Sequence, residues 1–243
     1  MATVMQPQPA AAPAGKKAQQ FVRFAFYKAT PSWRELSPQE RAAARSDLVR
    51  VVGEAAEKMI LRSYSTVATR ADCDFLLWQV SYEMDDLHHL AAQVNASAMG
   101  RHLAMPYSYL AMTKRSTYID HHVHADQDGQ RMVVRPTDRR YFFVYPFVKT
   151  RPWYLLSPEQ RQALMDTHIR VGHKYPSVKL NTTYSFGLDD QEFVVAFETD
   201  SPQDFLDLVM ELREAESSLY TLRDTPIFTC LQMPLPEALE ALG

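Results

Sequence analysis

The feature that most constrains the fold of this chain is an internal repeat. Thr30, Trp33, the run Leu36-Ser37-Pro38, Arg41 and Ala43 recur as Thr150, Trp153, Leu156-Ser157-Pro158, Arg161 and Ala163. Arg50-Val51 recurs as Arg170-Val171, and Tyr64-Ser65 as Tyr184-Ser185, all at one offset of 120 residues. A Ser-Pro pair opens many helices, because serine accepts a backbone N–H at the N-cap and proline suits the first turn. That explains Ser37-Pro38 alone. It does not place Trp33, Arg41 and Arg50-Val51 in the same register, so the chain reads as a duplicated unit. The copies disagree at positions where chemistry can sit: Leu48 faces His168, and Ala25 faces Tyr145.

Each copy reads as the same series of elements. Phe21 to Lys28 is aromatic and strand-prone, and the helix opened by Ser37-Pro38 is expected to run to about Leu61. Arg62 to Ala68 and Asp74 to Val80 read as paired strands, Asp85 to Met99 as a helix and Tyr107 to Met112 as a last strand. In the second copy the strands are Tyr141 to Phe147, Val178 to Ser185, Phe193 to Glu198 and Ile227 to Met233. Its helices follow Ser157-Pro158 and Ser201-Pro202, the latter to about Ser217, and Gly187-Leu188-Asp189-Asp190 reads as a turn. The order βαββαβ, twice, predicts an α+β fold of two tandem ferredoxin-like repeats forming a dimeric α+β barrel within one chain. The expected divisions are a disordered tail over 1–20, a first repeat over 21–113, a polar linker over 114–139 and a second repeat over 140–243.

Bulk properties narrow the function class. With 243 residues the chain is long enough for a substantial core. A net charge of -3 argues against a nucleic-acid partner, which wants a basic surface. Two cysteines without a CxxC fit a reducing compartment. No apolar run approaches the length of a membrane span, and the first twenty residues lack the apolar core of a signal peptide, so a cytoplasmic location is expected.

Few residues are candidates for chemistry. On a helix, Leu164, His168, Gly172 and Tyr175 line one apolar face. A histidine there is either a hydrogen-bonded core residue or a ligand for a metal or haem iron, and Gly172 one turn on leaves room for a flat ligand. Tyr145 and Lys149 are either a strand aromatic and a solvated strand end, or a redox-active phenol and a carboxylate clamp. His121-His122-Val123-His124 falls in the linker and reads as a solvated loop, and His88 and His89 read as inert surface residues. His173 points some 140° away from His168, at ~3.6 residues per turn.

Taken together, Tyr145-Pro146-x-x-Lys149, Trp153-Tyr154-x-Leu156, His168-x-x-x-Gly172-x-x-Tyr175 and Gly187-Leu188-Asp189-Asp190 resemble the chlorite dismutase-like haem proteins. The resemblance covers most of residues 140 to 233 and comes closest to the coproheme decarboxylase branch. It implies a homopentamer with iron porphyrin in the second repeat and His168 as the iron ligand. It further implies Tyr145 as a radical-forming phenol and Lys149 as a propionate clamp, with Arg131, Ser218, Gly172 and Leu180 lining the porphyrin. Glu216 is the candidate partner for the outer nitrogen of His168. In that branch the substrate is iron coproporphyrin III (coproheme), hydrogen peroxide is the oxidant, and haem b is the product. The family's other activities stand as alternatives: a haem peroxidase, a chlorite dismutase-like enzyme, or a non-catalytic haem-binding or delivery protein. The chain departs from the chlorite dismutase pattern, which uses a distal arginine, because no arginine occurs between Arg170 and Arg213. It departs from the decarboxylase pattern at Phe147, Thr150 and Leu180, where methionine, arginine and glutamine are common.

Overall fold

A computed structural model describes residues 19–116, 118 and 133–243. Arg131, His121, His122 and His124 lie outside the described residues. The chain divides into two compact units.

The first unit begins with β1 (Phe21–Ala29). A short helix α1 (Pro31–Glu35) precedes α2 (Pro38–Ala56). Then come β2 (Ile60–Ser65), β3 (Phe75–Ser81), α3 (Met84–Ala96), a 3-10 turn at Gly100–His102 and β4 (Leu103–Met112). The strand order is β4-β1-β3-β2, the ferredoxin-like arrangement. Ser37 caps α2 in a full capping box: its hydroxyl accepts from the Glu40 N–H, and the Glu40 carboxylate accepts from the Ser37 N–H. The helix ends at Ala56 rather than near Leu61, because Met59 turns into the core and Ile60 enters the sheet.

The second unit repeats the plan with β5 (Tyr141–Lys149), α4 (Arg151–Leu155), α5 (Pro158–Gly172), β6 (Lys179–Tyr184), β7 (Phe193–Thr199) and α6 (Pro202–Glu214). After α6 the chain tightens into a 3-10 turn at Glu216–Tyr220, so the helix stops short of the expected Ser217. A short strand β8 (Thr221–Arg223) and then β9 (Phe228–Gln232) complete the unit. The order is β9-β5-β7-β6, with β8 beside the end of β5. Ser157 and Gln160 form the matching capping box. Gly187 turns the β6–β7 connection at φ +72°, a backbone conformation open to glycine without a Cβ clash. Residues 133–139, expected as polar linker, pack on this unit: Val134 is buried, and Thr137 donates its N–H and hydroxyl to the buried Glu198 carboxylate at 2.6 and 2.7 Å.

The two cores are built differently. A last helix, α7 (Leu235–Glu240), belongs to the first unit, although residues up to 243 were expected in the second repeat. The reason is burial: Leu235 and Leu239 join the apolar cluster of Ala25, Leu48, Val51 and Val52, and α7 packs on both α2 and β2. Ser63 on β2 ties the approach to α7 by donating to the Met233 carbonyl at 2.7 Å. In the second unit the cluster is Phe143, Tyr145, Val171, Phe197, Phe205 and Leu208, and no helix corresponds to α7 among the described residues.

Candidate functional site

Strand register puts the candidate residues on one face. Phe143 lies opposite Phe197, Tyr145 opposite Val195 and Phe147 opposite Phe193. On the other side of β7, Leu180 lies opposite Phe197 and Thr182 opposite Val195. Alternation in a strand therefore places Tyr145, Phe147, Leu180 and Thr182 on a common face, the one that packs against α5 and α6. Part of that face is uncovered: Leu180 is 49% exposed and Thr182 is exposed. By strand register the position of Leu180 in the first unit is that of Leu61, which packs against the cluster that holds Leu235 and Leu239.

The same contrast holds on the helices. On α2, Ala44, Leu48, Val51, Val52 and Ala55 are buried, whereas on α5 only Val171 is. His168, the counterpart of the fully buried Leu48, is partly buried. Gly172, the counterpart of Val52, is the last residue of α5, and a Cβ built there meets nothing within 4 Å. Tyr175 lies beyond the helix end, where its hydroxyl donates to Glu211. Neither ring nitrogen of His168 has a hydrogen-bond partner among the described residues. Burial pushes its imidazole down to about 4, with the Lys149 ammonium adding to the fall. The ring is thus neutral at physiological pH, with a free nitrogen lone pair.

Lys149 is the charged group whose field reaches His168. Its ammonium lies 4.4 Å from the Trp153 ring centroid and 5.3 Å from that of Phe147, and it donates to the Ser217 carbonyl at 3.2 Å. Burial pushes Lys149 down to about 8, against the opposing pull of Glu192. The lysine's backbone N–H donates to Glu192 at 2.8 Å, and the same carboxylate accepts from the Tyr154 hydroxyl at 2.5 Å and pairs with Arg151 at 3.7 Å. Burial first, and then this carboxylate, hold the Tyr154 phenol well above its ordinary value. Tyr145 is 8% exposed and stacks on Phe197, and its hydroxyl makes no hydrogen bond among the described residues. Burial raises its phenol far above the usual value, with Asp224 adding to the rise and Arg213 opposing it.

Other expectations fare unevenly. Ser218 sits in the 3-10 turn beside the lysine's acceptor and donates to the Arg213 carbonyl. Glu216 is exposed, and no hydrogen bond joins it to His168 among the described residues. His88 and His89 are exposed on α3. Three contributors had no signal in the repeat: Glu192, Asp224 and the use of Trp153 as a platform for Lys149.

The part of the chain that carries these residues lies within a match to a known family. Residues 41–233 fit the chlorite dismutase family model. The chain belongs to the chlorite dismutase family. A coproheme decarboxylase from Mycolicibacterium smegmatis is 29% identical over 68% of this chain and 70% of its own length. A chlorite dismutase from Ideonella dechloratans is 28% identical over 84% of this chain and 72% of its own. Among solved structures, a chlorite dismutase variant from Candidatus Nitrospira defluvii superposes with a TM-score of 0.84 at 24% identity, over 91% of this chain and 94% of that one. That likeness establishes the family fold, α+β with tandem ferredoxin-like units. No helix among the described residues is long and apolar enough to cross a membrane.

Proposed function

We propose that this member of the chlorite dismutase family binds iron porphyrin in its second unit and catalyses the peroxide-dependent decarboxylation of iron coproporphyrin III to haem b. The observation that carries the proposal is the contrast between the units: in the second, Leu180 and Thr182 on the helix-facing side of β6 are exposed, His168 is partly buried and a Cβ at Gly172 meets nothing within 4 Å, whereas the first buries Leu48, Val52, Leu235 and Leu239 in one apolar cluster. The residues fit a flat, largely apolar ligand with a metal at its centre and carboxylates at its edge. A neutral imidazole without a partner offers a lone pair for iron, and a lysine that lies over an indole offers a charge for a carboxylate.

The bound iron porphyrin supplies the oxidising equivalents, which come from hydrogen peroxide. The protein's own groups do the rest. His168 holds the iron from α5. Lys149 holds a propionate by a charge-assisted hydrogen bond, and its charge is retained below a pH of about 8. Tyr145 stays a neutral phenol because its burial resists ionisation, so it can give up a hydrogen atom and take one back. In its radical form Tyr145 takes hydrogen from the propionate; with a second electron removed, carbon dioxide leaves and a vinyl group remains. For each group the balance is one propionate, one peroxide and one proton giving a vinyl group, carbon dioxide and two waters. β6 carries no arginine beside Leu180 and Thr182 to act as the distal guanidinium of the chlorite dismutase pattern, so chlorite is expected to release no oxygen.

The test is to add iron coproporphyrin III to the protein and titrate with peroxide. Stepwise loss of two carboxyl groups by mass spectrometry is expected; bleaching without mass loss would sink the reading in favour of a peroxidase or a haem-delivery protein. Tyr145→Phe is expected to bind the porphyrin but not to turn over. His168→Ala is expected to shift the Soret band, and an unchanged spectrum would mean that the iron is held elsewhere.

A further inference from the structure

A phenol that loses an electron must also lose its proton, and a buried phenol needs a base nearby for the proton to go to. Tyr145 has no hydrogen-bonding base among the described residues. The sheet nevertheless brings a carboxylate alongside. β8 pairs with the end of β5, Val148 opposite Arg223, while β9 takes over from Val144, opposite Phe228. Residues 224–227 therefore run beside the stretch Tyr145–Phe147, and Asp224 is the first of them. Its side chain is only 16% exposed. It is held by an ion pair with Arg213, from the last turn of α6, the helix that also lies over Tyr145 through Phe205 and Leu208. Asp224 and Arg213 are the charged groups whose fields reach the phenol, the carboxylate favouring its protonated form.

We propose that Asp224 is the proton acceptor for Tyr145. When an electron leaves Tyr145 for the peroxide-derived oxidant, the phenolic O–H bond breaks and the proton passes to an Asp224 carboxylate oxygen. The phenoxyl radical then recovers a whole hydrogen atom from the propionate, and Asp224 releases its proton to solvent. Two jobs thus fall to separate carboxyl-binding cations: Lys149 holds the substrate's carboxylate, and Arg213 holds the protein's own.

The inference rests on the role proposed for Tyr145, so its test reads the tyrosine without porphyrin. The porphyrin-free protein is oxidised with a photogenerated one-electron oxidant, and the Tyr145 radical is followed by electron paramagnetic resonance as the part of the signal lost in Tyr145→Phe. Asp224→Asn is expected to slow its formation by at least about tenfold, within the span of general-base effects. Asp224→Glu is expected to restore it. Arg213→Gln, which leaves the carboxylate in place without its counter-charge, is expected to match or exceed the wild-type rate. A wild-type rate in Asp224→Asn overturns the inference. So does a fall in Arg213→Gln as large as that in Asp224→Asn, because the pair would then be a structural clamp; this second variant decides alone if Asp224→Asn does not fold. An active Tyr145→Phe decarboxylase would instead remove the role of Tyr145, leaving the radical assay to stand by itself.

Discussion

The two units share one plan and differ in what packs beside the first long helix and its neighbouring strand. In the first unit α7 packs on α2 and β2, and Leu48 is fully buried in the cluster that holds Leu235 and Leu239. In the second unit no helix takes the part of α7 among the described residues, and the corresponding positions carry an imidazole, a glycine and an exposed leucine. The difference teaches that a ferredoxin-like half exposes more apolar surface on that side than it can leave to water. One copy covers it with its own chain. The other, in the proposed function, covers it with a flat ligand whose burial contributes to stability as α7 does.

Truncation on the two sides should break the symmetry most sharply. Leu239→Ala removes a fully buried side chain and is expected to cost about 3 kcal/mol, within the range for such cavities. Leu180→Ala is expected to change stability by less than about 0.5 kcal/mol, as for other exposed positions. Chemical denaturation of the porphyrin-free protein measures both, and equal losses would refute the contrast.

A smaller effect concerns pH. His168 takes its proton near 4 in the folded chain and near 6.5 when unfolded, so the unfolded state binds more protons between those values. Stability without ligand is therefore lost as pH falls from 6.5 towards 4, by roughly 2 kcal/mol once partial exposure is allowed for. Replacing His168 by its counterpart in the first unit, His168→Leu, should flatten that part of the stability profile. A slope unchanged by the substitution would mean that other groups carry it.

The smallest expected effect is at Gly172. Gly172→Val installs the residue found at Val52, and its Cβ meets nothing within 4 Å. It is expected to leave the melting temperature nearly unchanged while weakening iron-porphyrin affinity by about tenfold, ~1.4 kcal/mol. Undiminished binding by Soret titration would show that the ligand lies away from this end of α5.

Much of the scaffold was legible because its signals are local. Ser37 with Glu40 and Ser157 with Gln160 each close a capping box within one turn, and strand alternation placed Tyr145 on a face. What was not legible depends on contacts distant in the chain. Asp74 accepts from the Ala29 N–H as Glu192 accepts from that of Lys149, and each donates its own N–H to the strand residue two before. This duplicated clamp is absent from the sequence repeat, because the offset between the two carboxylates is 118 and they are of different types. The part played by α7 was hidden for the same reason: nothing in Leu235 to Leu239 announces that it packs beside Leu48. On the residues alone His168 remained either a core histidine or a ligand, and what favours the second is its ring without a hydrogen-bond partner among the described residues, which no periodicity records.

The return of α7 to the first unit also bears on how the chain comes to fold as it is made. Leu48 leaves the ribosome long before Leu235, and at ~5–20 residues per second the interval is roughly ten to forty seconds. Throughout it the first-made half lacks part of its own core, whereas the elements of the second unit emerge close together. The half synthesised first is thus expected to be the last to reach its final packing.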